Sequence, residues 1–331
     1  MGRRLGAVRG PRRSGAAVLT RGRAPLRLVK PRALRPGAAI GVCAPAGPVN
    51  PEVLDACLAW LSEQGHPIVL GKHLRARAGY LAGGDAERLE DLLALVRDPN
   101  VAVILCARGG YGVGRILRGV PPLELREARK LVVGYSDATL LLSFLHRCAG
   151  LASLHGPMLE REDVTPAARA RELALMRGEP AGLAALTGRP VREGVVEAPL
   201  VGGNLKLLQA SIGTEWQVDL RGAVLFLEEV SEAPYSLDRA LVHLREAGVL
   251  DGVRGVALGQ LVRCESERYP GASAGETVRE ILSSSIDGPI VEDLPFGHVA
   301  DNHALGVGVR CRLDGARGEL ALLEPVVEVD S

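Results

Sequence analysis

Leu131-Val-Val-Gly-Tyr-Ser-Asp-Ala-Thr139 is the stretch on which the fold of this chain turns. A short apolar run, read as a buried strand, breaks at Gly134 into Tyr135-Ser136-Asp137, and an apolar helix from Ala138 to Cys148 follows at once. A serine on a strand-to-helix turn projects its hydroxyl from the end of a sheet, with the unpaired N–H groups of the next helix beside it. An acyl-transfer nucleophile needs both: exposure, and donors for an oxyanion. Taken by itself, the same turn is more simply an ordinary Ser/Asp helix cap.

The same rhythm runs back toward the amino terminus. Ala38-Ala-Ile-Gly-Val-Cys-Ala44 reads as a strand, Glu52 to Gln64 as a helix closed by Gly65, and Pro67-Ile-Val-Leu70 as a second strand. Asp85 caps a helix in which Leu89, Leu92, Leu93 and Val96 recur at helical spacing. Val101-Ala-Val-Ile-Leu-Cys106 is continuously apolar, as expected of a strand buried on both faces of a parallel sheet, and it runs into Ala107-Arg-Gly-Gly-Tyr-Gly112. This alternation predicts an α/β fold, with an N-terminal open parallel sheet and flanking helices over residues 30–160. Ligands of such sheets sit beyond the carboxyl ends of the strands, where Arg108–Gly112 and Ser136 both fall.

Residues 161–195 are charged and Ala-rich without a clear period, and read as a linker or crossing segment. Residues 196–331 read as a C-terminal α/β domain rich in strands. Gly222-Ala-Val-Leu-Phe-Leu-Glu-Glu229 is a strand ending in carboxylates, and Ser236 caps a helix whose Leu237, Leu241 and Leu244 share a face. Gly255-Val-Ala-Leu-Gly259 is a buried strand, and Pro289 to His298 is a strand leading into a histidine-bearing turn. The tail alternates around Asp314-Gly315 as a β-hairpin.

Composition narrows the classes. At 331 residues and 47% apolar content the chain can build a large core, and with 3% aromatics that core must be Val, Leu, Ala and Ile. A net charge of +1 argues against a nucleic-acid binder, and no apolar run nears the roughly 18 residues that span a bilayer. The six cysteines are scattered without metal-ligand spacing and read as small buried hydrophobes in a reducing, cytoplasmic compartment. Residues 1–29 hold many arginines and no acid, and read as a basic, disordered extension.

Three polar residues close apolar strands, in the order Ser136, Glu228, His298. A hydroxyl becomes a nucleophile when a base takes its proton, and the base is held in one tautomer by a carboxylate. Separately they read as a cap, a surface strand end and a turn histidine. Spacing alone does not bring them together.

The blocks Gly134-Tyr-Ser-Asp-Ala-Thr139, Ala107-Arg-Gly-Gly-Tyr-Gly112, His155-Gly-Pro-Met158, Gly202-Gly-Asn-Leu205, Leu225-Phe-Leu-Glu-Glu229, Pro234-Tyr-Ser-Leu-Asp-Arg239 and Phe296-Gly-His298 are spread along the chain. Together they resemble the serine LD-carboxypeptidases, the murein tetrapeptide carboxypeptidases grouped with the microcin-immunity peptidases. The resemblance runs from about residue 30 to the C-terminus. It implies Ser136 as nucleophile, His298 as general base and then acid, and Glu228 as the residue orienting it. Glu228 is preferred to Glu229 because the family's glutamate comes first in such a pair, and strand alternation would put Glu229 on the other face. The N–H of Asp137 and one from the Gly109-Gly110 turn, that of Gly110, would form the oxyanion hole.

The implied substrate is a muropeptide or murein tetrapeptide losing D-Ala in peptidoglycan recycling, with no metal, no cofactor, no nucleic acid and no membrane, in a homodimer. Arg108 and Arg239 are candidates for a substrate carboxylate, and His155 and His303 for the cleft wall. Two departures stand out: Leu305-Gly-Val-Gly308 replaces the usual Leu-Pro-x-Gly, and Ala38 replaces a common acidic residue. A microcin-immunity-type hydrolase of aminoacyl-nucleotide conjugates is the alternative, although Trp60 and Trp216 lie outside the blocks. A catalytically silent muropeptide-binding protein is a third reading.

Overall fold

A computed structural model describes residues 26–329. From the amino end run β1 (Ala39–Cys43), α1 (Pro51–Ser62), β2 (Ile68–Leu70), α2 (Asp85–Arg97), β3 (Val101–Cys106) and α3 (Val113–Ile116). Then come α4 (Pro122–Ala128), β4 (Leu131–Gly134), α5 (Thr139–Phe144), β5 (Ser153–His155) and α6 (Pro166–Arg177). The C-terminal half adds β6 (Leu186–Thr187), β7 (Arg189–Arg192), β8 (Val195–Asn204), α7 (Leu205–Ser211), β9 (Val224–Val230) and α8 (Pro234–Glu246). It closes with β10 (Gly255–Val262), α9 (Ala274–Ser285), β11 (Ile290–Glu292), β12 (Leu305–Val307), β13 (Arg310–Asp314) and β14 (Glu319–Leu322).

These strands form two sheets, as an α/β chain with strands in both halves requires. The first has six strands in the order β12-β5-β4-β3-β1-β2, parallel except for β12, which lies antiparallel to β5. Every residue of β1 and β4 is buried, which explains their unbroken apolar sequence. The second has eight strands, β6-β14-β13-β8-β9-β10-β11-β7, with β8 to β11 parallel and antiparallel strands on either side. Leu237, Leu241 and Leu244 of α8 pack with Val278 and Leu282 of α9 in a core cluster beside this sheet.

Three local expectations are corrected. Residues 161–195 are not a bare linker: Thr165 caps α6 through a hydrogen bond from Ala168 N–H, Pro166 starts it, and Gly178 ends it at φ 73°. Its weak periodicity arises because its buried face carries Arg169, Arg171 and Glu172 as well as alanines. Ser236 is not the cap of α8; Ala233 is, because Pro234 has no N–H to donate and takes the first helical position. The apolar helix after Ser136 is broken, with a 3-10 turn at Ser136–Ala138, α5, and a π turn at Leu145–Ala149. The expected extension over residues 1–29 falls mostly outside the described residues. Val29, however, bonds into the fold, donating to Gly150 O at 2.8 Å and accepting from Ala152 N–H at 3.0 Å.

The two sheets meet beside the turn that carries Ser136. Asn204, the last residue of β8, donates its N–H to Thr139 Oγ1 at 3.1 Å. A Cβ on Gly203 would stand 2.4 Å from Thr139 Cγ2, so only glycine lets the strand approach α5 this closely.

Candidate active site

The serine turn is tight and strained. Tyr135 is extended, and Ser136 then turns to φ 58°, a left-handed conformation that residues with a side chain rarely adopt. Gly134 permits the turn, since a Cβ there would lie 2.8 Å from Ala138 Cβ. The Asp137 carboxylate points away from the turn and accepts the Val113 N–H at 2.8 Å, tying down the start of α3. Burial pushes its pKa up to about 6 against the opposing pull of the Val113 and Gly112 N–H groups. The loop after β3 lies against the serine: a Cβ on Gly109 would be 3.0 Å from Ser136 Oγ. The Gly110 N–H has no acceptor among the described residues.

Glu228 lies near the carboxyl end of β9, opposite Asn204 of β8, and is completely buried. Its Oε2 lies 2.6 Å from His298 Nδ1. The turn holding His298 is built for this approach, because a Cβ on Gly297 would lie 2.9 Å from Glu228 Cβ, and Gly297 stands at φ 110°. Asn302 braces the turn by accepting the Gly297 N–H at 2.9 Å.

Glu229 faces the other way, as strand alternation requires. It accepts from Asn204 Nδ2 (2.7 Å), Val230 N–H (2.8 Å) and Lys206 N–H (2.8 Å), closing the start of α7. Burial outweighs these three hydrogen bonds and raises its pKa to about 7.

Tyr135 joins the serine turn to the Glu228–His298 pair. Its ring centroid is 4.7 Å from the His298 imidazole, and its hydroxyl accepts from Arg161, which also grips Asp163 at 2.6 and 2.7 Å. The fold thus carries Ser136 and His298 on adjoining turns. No hydrogen bond joins Ser136 to His298 among the described residues, and such bonds often tighten only when substrate is bound.

The other candidates separate. His155 does not line the cleft. It is completely buried beneath the pair, edge-on to Phe226 at 5.0 Å and Tyr135 at 5.9 Å, and burial pulls its pKa down to about 4, so it is neutral. His303 sits 3.2 Å from Asp301. Arg108 adjoins Gly109, donating to Pro48 O at 3.0 Å, whereas Arg239 lies over the Tyr235 ring at 5.3 Å. Trp216 is buried against Phe144, and Trp60 lies under the Arg169 guanidinium. Asn302 and Arg161 escaped the sequence reading; the only trace of Asn302 was its place just after the Gly-His turn.

Among the described residues no cluster of His, Cys, Asp and Glu has the makings of a metal site, and no helix is long and apolar enough to cross a membrane.

Comparison with known proteins places the chain in a family. Residues 40–156 match the LD-carboxypeptidase N-terminal domain, and residues 197–313 match the LD-carboxypeptidase C-terminal domain. A probable murein peptide carboxypeptidase of Bacillus subtilis is 37% identical over 294 residues, covering 87% of this chain and 92% of that protein. The murein tetrapeptide carboxypeptidase of Pseudomonas aeruginosa is 33% identical over 290 residues, covering 84% and 94%. The crystal structure of muramoyltetrapeptide carboxypeptidase from Oxalobacter formigenes superposes with a TM-score of 0.76 at 28% identity, over 86% of this chain and 98% of that one. With both domain models matched in order and these relatives aligned almost end to end, this chain belongs to the LD-carboxypeptidase family.

Proposed function

We propose that the protein is a serine carboxypeptidase that releases terminal D-Ala from murein tetrapeptides, cutting the bond between the L-centre of the third residue and D-Ala. The observation that carries this reading is the buried Glu228–His298 pair at 2.6 Å, set against a tyrosine whose neighbour is the strained Ser136. Ser136 Oγ attacks the carbonyl carbon while His298 Nε2 takes its proton. Glu228 holds Nδ1–H, fixing the tautomer and stabilising the imidazolium that forms. The N–H groups of Asp137 and Gly110 receive the oxyanion. Collapse expels the D-Ala amine, which takes the proton from His298, and water then resolves the acyl-enzyme by the same path. The scheme calls on no metal. Its setting is cytoplasmic muropeptide recycling, with the chain acting as a homodimer.

The test is mass spectrometry of a purified tetrapeptide incubated with the protein or with Ser136→Ala, chelator present. Loss of one alanine with the parent alone supports the reading. No loss from folded parent protein, or equal loss with both, rejects it.

A further inference from the structure

The segment between β5 and α6 touches all three parts of the site. Leu159 and Glu160 donate their N–H groups to Cys106 O at 3.2 Å and Ala107 O at 2.9 Å, at the root of the loop that carries Gly109 and Gly110. Further on, Thr165 donates its N–H to Ala300 O at 2.9 Å and its hydroxyl to Asp301 at 2.7 Å, just beyond His298. Arg161 lies between these anchors. Its backbone is fixed by Arg169, which is buried, pairs with Glu172 at 2.8 Å, and donates to the carbonyls of Met158 at 3.0 Å and Arg161 at 3.3 Å.

The Arg161 side chain spans the two turns that carry nucleophile and base. One Nη1 N–H goes to the hydroxyl of Tyr135, the residue before Ser136, and one Nη2 N–H goes to Val299 O at 3.3 Å, the residue after His298. Nε and Nη2 also donate to the two oxygens of Asp163, at 2.6 and 2.7 Å. Four of the five guanidinium N–H groups are thus directed at protein acceptors: one from Nε, two from Nη2 and one from Nη1. A group so fully engaged, and paired with a carboxylate, is not offered to a substrate. What it fixes is how the two turns stand to each other, with the buried Tyr135 ring set 4.7 Å from the His298 imidazole.

We propose that Arg161 is a positioning residue: by holding the Tyr135 hydroxyl and the Val299 carbonyl with one planar group, it sets His298 where it can take the Ser136 proton. This rests on the carboxypeptidase reading above. The planar fork matters, because an ammonium on a flexible stem cannot serve the same acceptors in one fixed geometry.

The experiment measures kcat and KM for D-Ala release in the parent, Arg161→Met, Arg161→Lys and Tyr135→Phe. Both Arg161 variants should lose about ten- to a hundredfold in kcat with KM within twofold of the parent. Tyr135→Phe keeps the ring and should lose less, and adding it to Arg161→Met should cost nothing more, since the hydroxyl has already lost its donor. Guanidinium ion at millimolar concentration should restore part of the rate of Arg161→Ala, and ammonium should not. A kcat within twofold of the parent in Arg161→Met, or a loss confined to KM, overturns the proposal. If Arg161→Met does not fold, Tyr135→Phe decides, and full kcat in that variant rejects the route through the hydroxyl. NMR of protein labelled at the histidine Cε1 tests the geometry without turnover. The His298 signal, assigned by its loss in His298→Gln, is displaced by the Tyr135 ring current, and it should shift in Arg161→Met. An unmoved signal rejects the proposal. Failure of the parent to cleave the peptide leaves this readout standing and counts against the carboxypeptidase reading alone.

Discussion

Substituting Gly109 by alanine tests how closely the loop after β3 governs the serine. Gly109 does not have a positive φ, so alanine is acceptable to the backbone and the perturbation is steric. The new Cβ would sit 3.0 Å from both Ser136 Cβ and Oγ, and 3.1 Å from Met158 Cε. Ordinary contacts begin near 3.4 Å, so something must give by a few tenths of an ångström. Met158 can swing its terminal methyl aside. Ser136 cannot, because it is held at φ 58° and the next residue is tied to Val113. The strain therefore moves the hydroxyl, or moves the loop and the Gly110 N–H with it.

A misplacement near 1 Å costs roughly a hundredfold in rate, so this smaller one is expected to lower kcat/KM for D-Ala release by about ten- to a hundredfold. Overpacking by one methyl should cost about 1 kcal/mol, or a few degrees in Tm. Gly275→Ala in α9 is the control, since its Cβ meets only Ser273 Oγ at 3.9 Å, and it should leave the rate unchanged. Full activity in Gly109→Ala would refute the contact as a constraint on the serine. Loss of activity together with loss of fold would assign the contact to stability instead.

Two further outcomes follow from the carboxylates. Glu228→Gln removes the anion from a wholly buried hydrogen bond and should lower kcat by roughly 10³- to 10⁴-fold with little change in KM; a variant keeping a tenth of the parent rate in steady-state assays would remove Glu228 from the scheme. Glu229 is raised to about 7 when folded, so the folded chain takes up that proton first as pH falls. Its contribution to stability therefore grows as pH falls toward the ordinary carboxyl range and is lost as pH rises through about 7, by at most about 3 kcal/mol. Glu229→Gln lacks this increment, so its Tm deficit should be widest near pH ~5 and shrink by pH ~8; thermal melts showing a constant deficit would contradict the assignment.

What was legible in the sequence was what a short window determines. The apolar runs of β1, β3 and β4 can only lie between layers of helices, because no polar face is left for water. The Gly134-to-Asp137 turn follows from a glycine that admits a sharp bend and a serine forced beyond it, and the opposed faces of Glu228 and Glu229 follow from the two-residue period of a strand. Pairing across the chain was not written locally. β12 joins the first sheet antiparallel to β5 although it follows the second sheet's β11, and nothing in Leu305-Gly-Val307 selects that partner over any other edge.

His155 looked like a cleft residue by its place among the motif blocks, yet β12 on one side and Phe226 and Phe296 around it seal it from water. Asn302 matters only because the turn it braces folds back over Glu228. Sequence by itself determined which residues stand at strand ends, since that depends on neighbours a few positions away. Tertiary structure alone decided that residues 136, 228 and 298 share one end of two sheets, since that depends on burying both apolar faces at once.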